Sequence, residues 1–365
     1  MNEMDLVRGL LREPPPPSPR TTAQALRRLE KDLTGPRRRT SRPGRRWFVV
    51  GLAAAGTAAA VAVAATVTGG PDAPVSPRSS RPVQLSAREI LLSAASSTAK
   101  APVTSGGYWL TSEQQGTAVV VGRPSDRYVI ERRMLLKQWV GIGRRPSWQV
   151  TRELGARPQG EADRAAWQRA GSPTRWTFPP PFTPWTSGAS RWKTERLPVQ
   201  LTFTAGSVQD VHRLPDDPAQ LRTYFMKRKN DSEGHSSPAE WLFSSAYDVL
   251  LSEPASAKVR AAAYRMLAEL PGIRSVGGTT DPLGRPGVAV ALGDGAPSDQ
   301  PSTEQRIVVD PATGAFLAEE TVLVRPATGR AVSRLPSDLS ERSARPGTIL
   351  NYRALLTATW TDTAP

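Results

Sequence analysis

Apolar positions fall into three regimes along this chain. From Trp47 to Thr68 the sequence WFVVGLAAAGTAAAVAVAATVT passes without a charged side chain. As a helix rising about 1.5 Å per residue it covers roughly 33 Å, enough to cross the hydrocarbon core of a bilayer. Upstream, Met4, Val7 and Leu11 lie at helical spacing, as do Leu26, Leu29 and Leu33 after the proline run 14–17. These predict two short amphipathic helices joined by a stiff spacer. Downstream, a Pro, Ser and Gly stretch over 69–82 reads as a linker, and helix-like and strand-like patterns then alternate.

The helices announce themselves by their caps. Ser86 and Glu89 have the S-x-x-E spacing of a capping box and precede an apolar face of Ile90, Leu91 and Ala94. Asp217, Pro218 and Gln220 open a helix running to Arg228 with Leu221, Tyr224 and Phe225 inward, and Ser237, Pro238 and Glu240 open another with Leu242, Ala246 and Val249 aligned. Val259, Ala263, Met266 and Leu270 form a further stripe, which Pro271 and Gly272 stop. Runs rich in β-branched and aromatic residues predict strands at 108–112, 117–121, 127–136, 148–154, 199–204 and 208–213. Others are expected at 273–279, 287–292, 305–309, 316–324 and 350–360. The turn sequences DPLG at 281–284 and DPATG at 310–314 join strands tightly, and strands so joined are antiparallel. The expected fold class is therefore α+β, one transmembrane helix followed by an antiparallel-sheet ectodomain with helices.

Charge sets the expected orientation. Residues 1–46 carry twelve Lys or Arg against five Asp or Glu, a net of +7 out of +15 for the 365-residue chain. Arg37, Arg38, Arg39, Arg42, Arg45 and Arg46 stand immediately before the apolar run, while the linker after it holds only Arg78 and Arg81 against Asp72. Positive flanks stay cytoplasmic, which makes 1–46 a cytosolic basic tail, 47–68 an uncleaved signal anchor, 69–85 a flexible linker and 86–365 an extracytoplasmic domain. Two alternatives share the residues: a cleaved secretory signal with small-residue sites at Ala62, Ala64 and Ala65, and a twin-arginine signal built on Arg45, Arg46, Trp47, Phe48 and Val49. Anionic head groups account for a basic cluster abutting a span, so the bilayer, and not nucleic acid, is the expected partner.

Candidate chemistry is sparse. Without cysteine there are no disulfides, thiolate nucleophiles or cysteine-ligated zinc sites. There are two histidines, His212 and His235; Asp210 shares a face with His212 if 208–213 is a strand, but that spacing alone makes no general base. Glu319 and Glu320, adjacent on an expected strand, point to opposite faces and argue against paired-carboxylate catalysis. Gly277 and Gly278 fit a bulge or turn. No G-x-S-x-G elbow, Walker loop or H-E-x-x-H occurs. The expectation is a non-enzymatic protein with no catalytic, cofactor-binding or metal residue. Residues 139–192 hold six of the ten tryptophans among Arg and Pro, a mixture suited to gripping a glycan or lipid head group or to roofing the core.

The stretches EMDLVRGLL from Glu3, LPDDPAQL from Leu214, AAAYRMLAELPGI ending at Ile273 and VVDPATGAFLAEETVL from Val308 resemble a large actinobacterial family of uncharacterised single-span membrane proteins. The resemblance implies a cytosolic segment, an arginine-rich run, one span and an ectodomain, often encoded beside extracytoplasmic-function sigma factors. The order helix, strands, helices, strands is also similar to the half-barrels of periplasmic lipoprotein carriers and related regulators. The Cys and His zinc motif of many anti-sigma factors has no counterpart here. Together these imply a membrane-anchored binding or sensing module whose residues 1–46 meet a cytosolic regulator, or alternatively a carrier of lipid or glycan.

Overall fold

The computed structural model describes residues 85–102, 104–123, 125–178, 183–197, 203–229, 237–293, 302–310, 312–326 and 344–365. They belong to one compact unit, Arg78–Pro365. The basic tail, the span at 47–68, all of the linker except Leu85, His235 and most of the strand expected at 199–204 lie outside the described residues. No helix among the described residues is long and apolar enough to cross a membrane.

The architecture is α+β, organised on one nine-stranded antiparallel sheet. In chain order the elements are α1 (Ala87–Ala99), β1 (Tyr108–Val121), β2 (Tyr128–Gly141), β3 (Ser147–Pro158), α2 (Glu161–Arg169), β4 (Arg175–Trp176), β5 (Trp185–Thr186) and β6 (Lys193–Leu197). Then come α3 (Val208–His212), α4 (Pro218–Arg228), α5 (Pro238–Leu251), α6 (Ala257–Ala268), β7 (Arg274–Thr280), β8 (Pro286–Gly293), β9 (Ser302–Val309), β10 (Phe316–Arg325) and β11 (Ile349–Thr361). The strand order β6-β3-β2-β1-β11-β10-β9-β8-β7 joins two meanders through a β1–β11 seam, in which Tyr108 pairs with Thr361 and Gln115 with Arg353. β4 and β5 form a separate two-stranded ribbon.

The expected caps are present. In α1 the Glu89 amide donates to Ser86 Oγ (3.3 Å) and the Ser86 amide to Glu89 Oε2 (2.8 Å), and Ser237 with Glu240 repeats the arrangement at α5. Asp217 accepts from the Gln220 amide at α4 and Ser256 from the Val259 amide at α6. The turns at Asp281–Gly284 and Asp310–Gly314 close the β7–β8 and β9–β10 hairpins, each Gly at positive φ and each Asp accepting amide bonds from its own turn. The Gly277 reading also holds, for the β7 register shifts between Ser275 and Gly277, where Gly277 has φ 96°.

α1, α4, α5 and α6 pack into the principal core with Val290, Leu292, Ile307, Val309 and Phe316 from one sheet face. Their neighbours on the opposite face, Ala289, Val308 and Leu317, join Tyr352, Ala354 and, past the register shift between Phe316 and Ala318, Ala318 in a second cluster. This two-residue periodicity is what a sheet apolar on both faces requires. At the other end α2 rests on β2 and β3 through Ala166, Tyr128, Ile130, Ala156 and Trp176.

Two expectations need correction. Residues 208–213 are not a strand: Ser207 and Asp210 form a capping box, the Asp210 amide donating to Ser207 Oγ at 3.3 Å, and Val208–His212 is the helix α3. The strands expected at 108–112 and 117–121 are one, because Glu113, Gln114 and Gln115 between them all pair with both β2 and β11. Residues 139–192 also hold regular structure beyond the strand expected at 148–154, namely the end of β2 and the helix α2. α2 escapes the apolar pattern because it buries only Ala166; Asp163 holds it by accepting from the Val129 amide at 2.9 Å.

Candidate functional site

The helical layer does not close completely on the sheet. Between the C-terminal end of α1, the α5–α6 junction, the β9–β10 turn and the ends of β1 and β11 lies a cavity of about 690 Å³, within the range of small-molecule sites. Its walls combine Trp109, Leu250, Phe316, Leu355 and Trp360 with Arg260, Tyr264, Arg285 and His212.

The junction sequence SEPASAKVR builds the inner wall. Ser256 caps α6, and Arg260, one turn further on, reaches back to the end of α5, donating to the carbonyls of Leu250 (3.3 Å), Glu253 (3.1 Å) and Ala255 (3.3 Å). A cation suits those unsatisfied carbonyls and the negative end of the helix dipole. The Arg260 guanidinium lies 4.8 Å from the Trp109 ring, whose indole N–H donates to Ser252 O at 3.0 Å. Withdrawal from water lowers Arg260 to about 10, so it stays charged at neutral pH. Trp109 and Trp360, opposite each other across the β1–β11 seam, meet edge to face at 5.2 Å, and His212 approaches Trp360 at 6.2 Å. Tyr264, fully buried, donates to Gly314 O at 3.1 Å and ties the β9–β10 turn to α6; burial raises its phenol. Arg285 is held by Asp281 and by the carbonyls of Leu355 and Leu317.

Beside the cavity, a polar network lies between α5 and the sheet. Arg353 on β11 pairs with Glu113 on β1 (3.2 Å) and Asp248 on α5 (3.5 Å), and Thr204 donates to Asp248 at 2.5 Å. Burial pushes Asp248 up. Glu253 accepts from the Ala205 amide at 3.1 Å with one oxygen while the other has no partner, and burial pushes it to about 8. Glu319 faces Arg353 and Glu320 the Tyr352 side, each raised to about 7, chiefly by burial. Their opposite orientation agrees with the strand pattern.

The structure does not bring Asp210 and His212 together as an acid–base pair. Asp210 accepts from the backbone and hydroxyl of Ser207, both at 2.8 Å, while His212 turns to Trp360. No group of three or more His, Cys, Asp or Glu among the described residues is placed to hold a metal ion. In the tryptophan-rich segment, Trp176 is buried and donates to Tyr128 Oη (3.1 Å), and Trp167 donates to Pro173 O (2.9 Å), which fits a roof over the core. Trp192 is instead exposed between the cations of Lys137 and Arg152.

Sequence reasoning missed Trp109, Arg260 and Trp360. One signal was in view: Arg260 interrupts the buried run Val259, Ala261, Ala262 and Ala263, and a cation inside an apolar stripe needs a reason. The chain matches no protein-family model, no curated protein and no solved structure.

Proposed function

We propose that this chain is a membrane-anchored, non-enzymatic binding module whose extracytoplasmic domain takes an apolar or amphipathic small molecule into the cavity beside Trp109 and Arg260. The observation that carries this reading is the cavity itself, about 690 Å³, in which aromatic and aliphatic walls at Trp109, Leu250, Phe316 and Leu355 meet a polar side holding Arg260 and Arg285. In this reading the sheet acts as a half-barrel, with α1, α5 and α6 as a partial cover over the ligand. The arginine-fenced run at 47–68 anchors the domain, and residues 1–46 present their two apolar stripes to a cytosolic regulator, a sigma-factor pathway being the class implied by the family resemblance.

Native mass spectrometry of the full-length chain released from its own membrane tests the binding step. Retention of a discrete small molecule, lost in an Ala257→Trp variant that narrows the cavity, supports it; a bare protein mass under conditions that preserve folding refutes it. A pull-down with residues 1–46 separates signalling from carriage. Recovery of a cytosolic protein favours a sensor, whereas a ligand handed from the domain to acceptor vesicles favours a lipid or glycan carrier.

A further inference from the structure

The cavity has a sign. Among the described residues no Asp or Glu stands on its wall, whereas Arg260 and Arg285 do. Arg285 is neutralised by Asp281, which is itself buried. Arg260 is different. It meets no carboxylate at ion-pair distance among the described residues, and its three hydrogen bonds all go to main-chain carbonyls. A guanidinium carries five N–H donors, so two remain without a partner among the described residues. The end of α5 supplies roughly half a unit of negative charge, which leaves about half of the Arg260 charge unmatched. Glu253, the nearest acid in sequence, makes no ion pair with Arg260: its carboxyl accepts from the Ala205 amide instead, and burial pushes it up even though Arg260 pulls it down.

We propose that the cavity selects an anionic amphiphile with a single hydrocarbon chain, its anionic oxygen head group on the free edge of Arg260 and its chain along Trp109, Leu250, Phe316 and Leu355. The inference rests on the binding reading above and adds the charge of the ligand to it. A planar guanidinium matches the two oxygens of a carboxylate or phosphate, and bonds to such oxygens are stronger than those between neutral groups. The Trp109 face holds the guanidinium from one side, so the head group arrives at its edge. A cationic head would face the same unmatched charge and be repelled, and a neutral alcohol would lose the charge assistance.

Three probes differing only in the head group test this: hexadecanoate, hexadecanol and hexadecyltrimethylammonium, each with a diazirine in the chain. They are photolysed with the full-length protein, and the labelled peptides are mapped by mass spectrometry. The expected result is labelling in α6 and along 355–360, with half-saturation at about a tenfold lower concentration for the carboxylate than for the alcohol, and the ammonium weakest. Arg260→Gln brings the carboxylate to the level of the alcohol, while Arg260→Lys keeps part of the preference. Equal half-saturation for all three heads on the unmodified chain overturns charge selection and leaves the cavity reading intact. Failure of every probe to label those peptides overturns the cavity reading. Because the head-group comparison needs no variant, misfolding of Arg260→Gln does not rescue the proposal.

Discussion

Glu253→Gln isolates the cost of the buried carboxyl beside the cavity. Glu253 has no exposed surface, a hydrogen bond from the Ala205 amide to one oxygen and a second oxygen without a partner. Its folded-state value of about 8 stands well above the usual 4.5. Between those limits the native chain holds a proton that the unfolded chain has released. Stability is therefore fully present below about pH 4.5 and falls as pH rises to about 8, by about 1.4 kcal/mol for each pH unit in that window. The loss reaches about 3 kcal/mol by pH 7 and about 5 kcal/mol above pH 8. Glutamine keeps a carbonyl to accept from Ala205 but does not ionise, and its buried amide hydrogens cost about 1–3 kcal/mol. The variant should accordingly be less stable than the parent near pH 4.5 and more stable at about pH 8.5, the two curves crossing in between. Urea unfolding of the full-length chain across that range, followed by tryptophan fluorescence, reads the midpoints. Parallel midpoint-against-pH curves would show that Glu253 ionises in the folded state as it does in the unfolded one, and the argument from burial would fail.

Other consequences are local. A Cβ on Gly116 would lie 2.0 Å from the Tyr352 ring, which is pinned by bonds from Gln114 (2.7 Å) and to Glu131 (2.6 Å); Gly116→Ala should cost about 1–3 kcal/mol, and a variant as stable as the parent would mean that the ring is free to move. Ser237→Ala removes the α5 cap and should cost about 1 kcal/mol, seen as a lower urea midpoint, with Ser237→Asp retaining most of the stability. Tyr264→Phe deletes the bond to Gly314 and should cost about 1 kcal/mol while speeding amide exchange in the β9–β10 turn; unchanged exchange there would show that the turn holds itself. The anchor reading requires alkaline carbonate to leave the full-length chain with the membrane and external protease to digest the C-terminal domain on spheroplasts; extraction or protection refutes it.

What was legible in the chain was local. Capping boxes at Ser86 and Ser237, the Asp217–Pro218 start and the Asp-Pro turns join residues within three or four positions, so their hydrogen bonds follow from sequence spacing whatever the rest of the molecule does. Two such turns were enough to make the sheet antiparallel and the class α+β. The same logic misled at 208–213, where β-branched residues outweighed the Ser207–Asp210 cap, and at 161–169, where a helix with little apolar surface left no periodic trace. Tertiary structure alone decided the β1–β11 seam, because pairing Gln115 with Arg353 spans most of the domain and depends on which strand edges remain open once the hairpins have formed. The cavity is a product of that seam. Trp109 and Trp360 become neighbours only when the two meanders join, and Arg260 becomes part of a site only when the α5–α6 junction is laid over them. Caps and turns are set by neighbours along the chain, but the sign and shape of a pocket are set by neighbours in space.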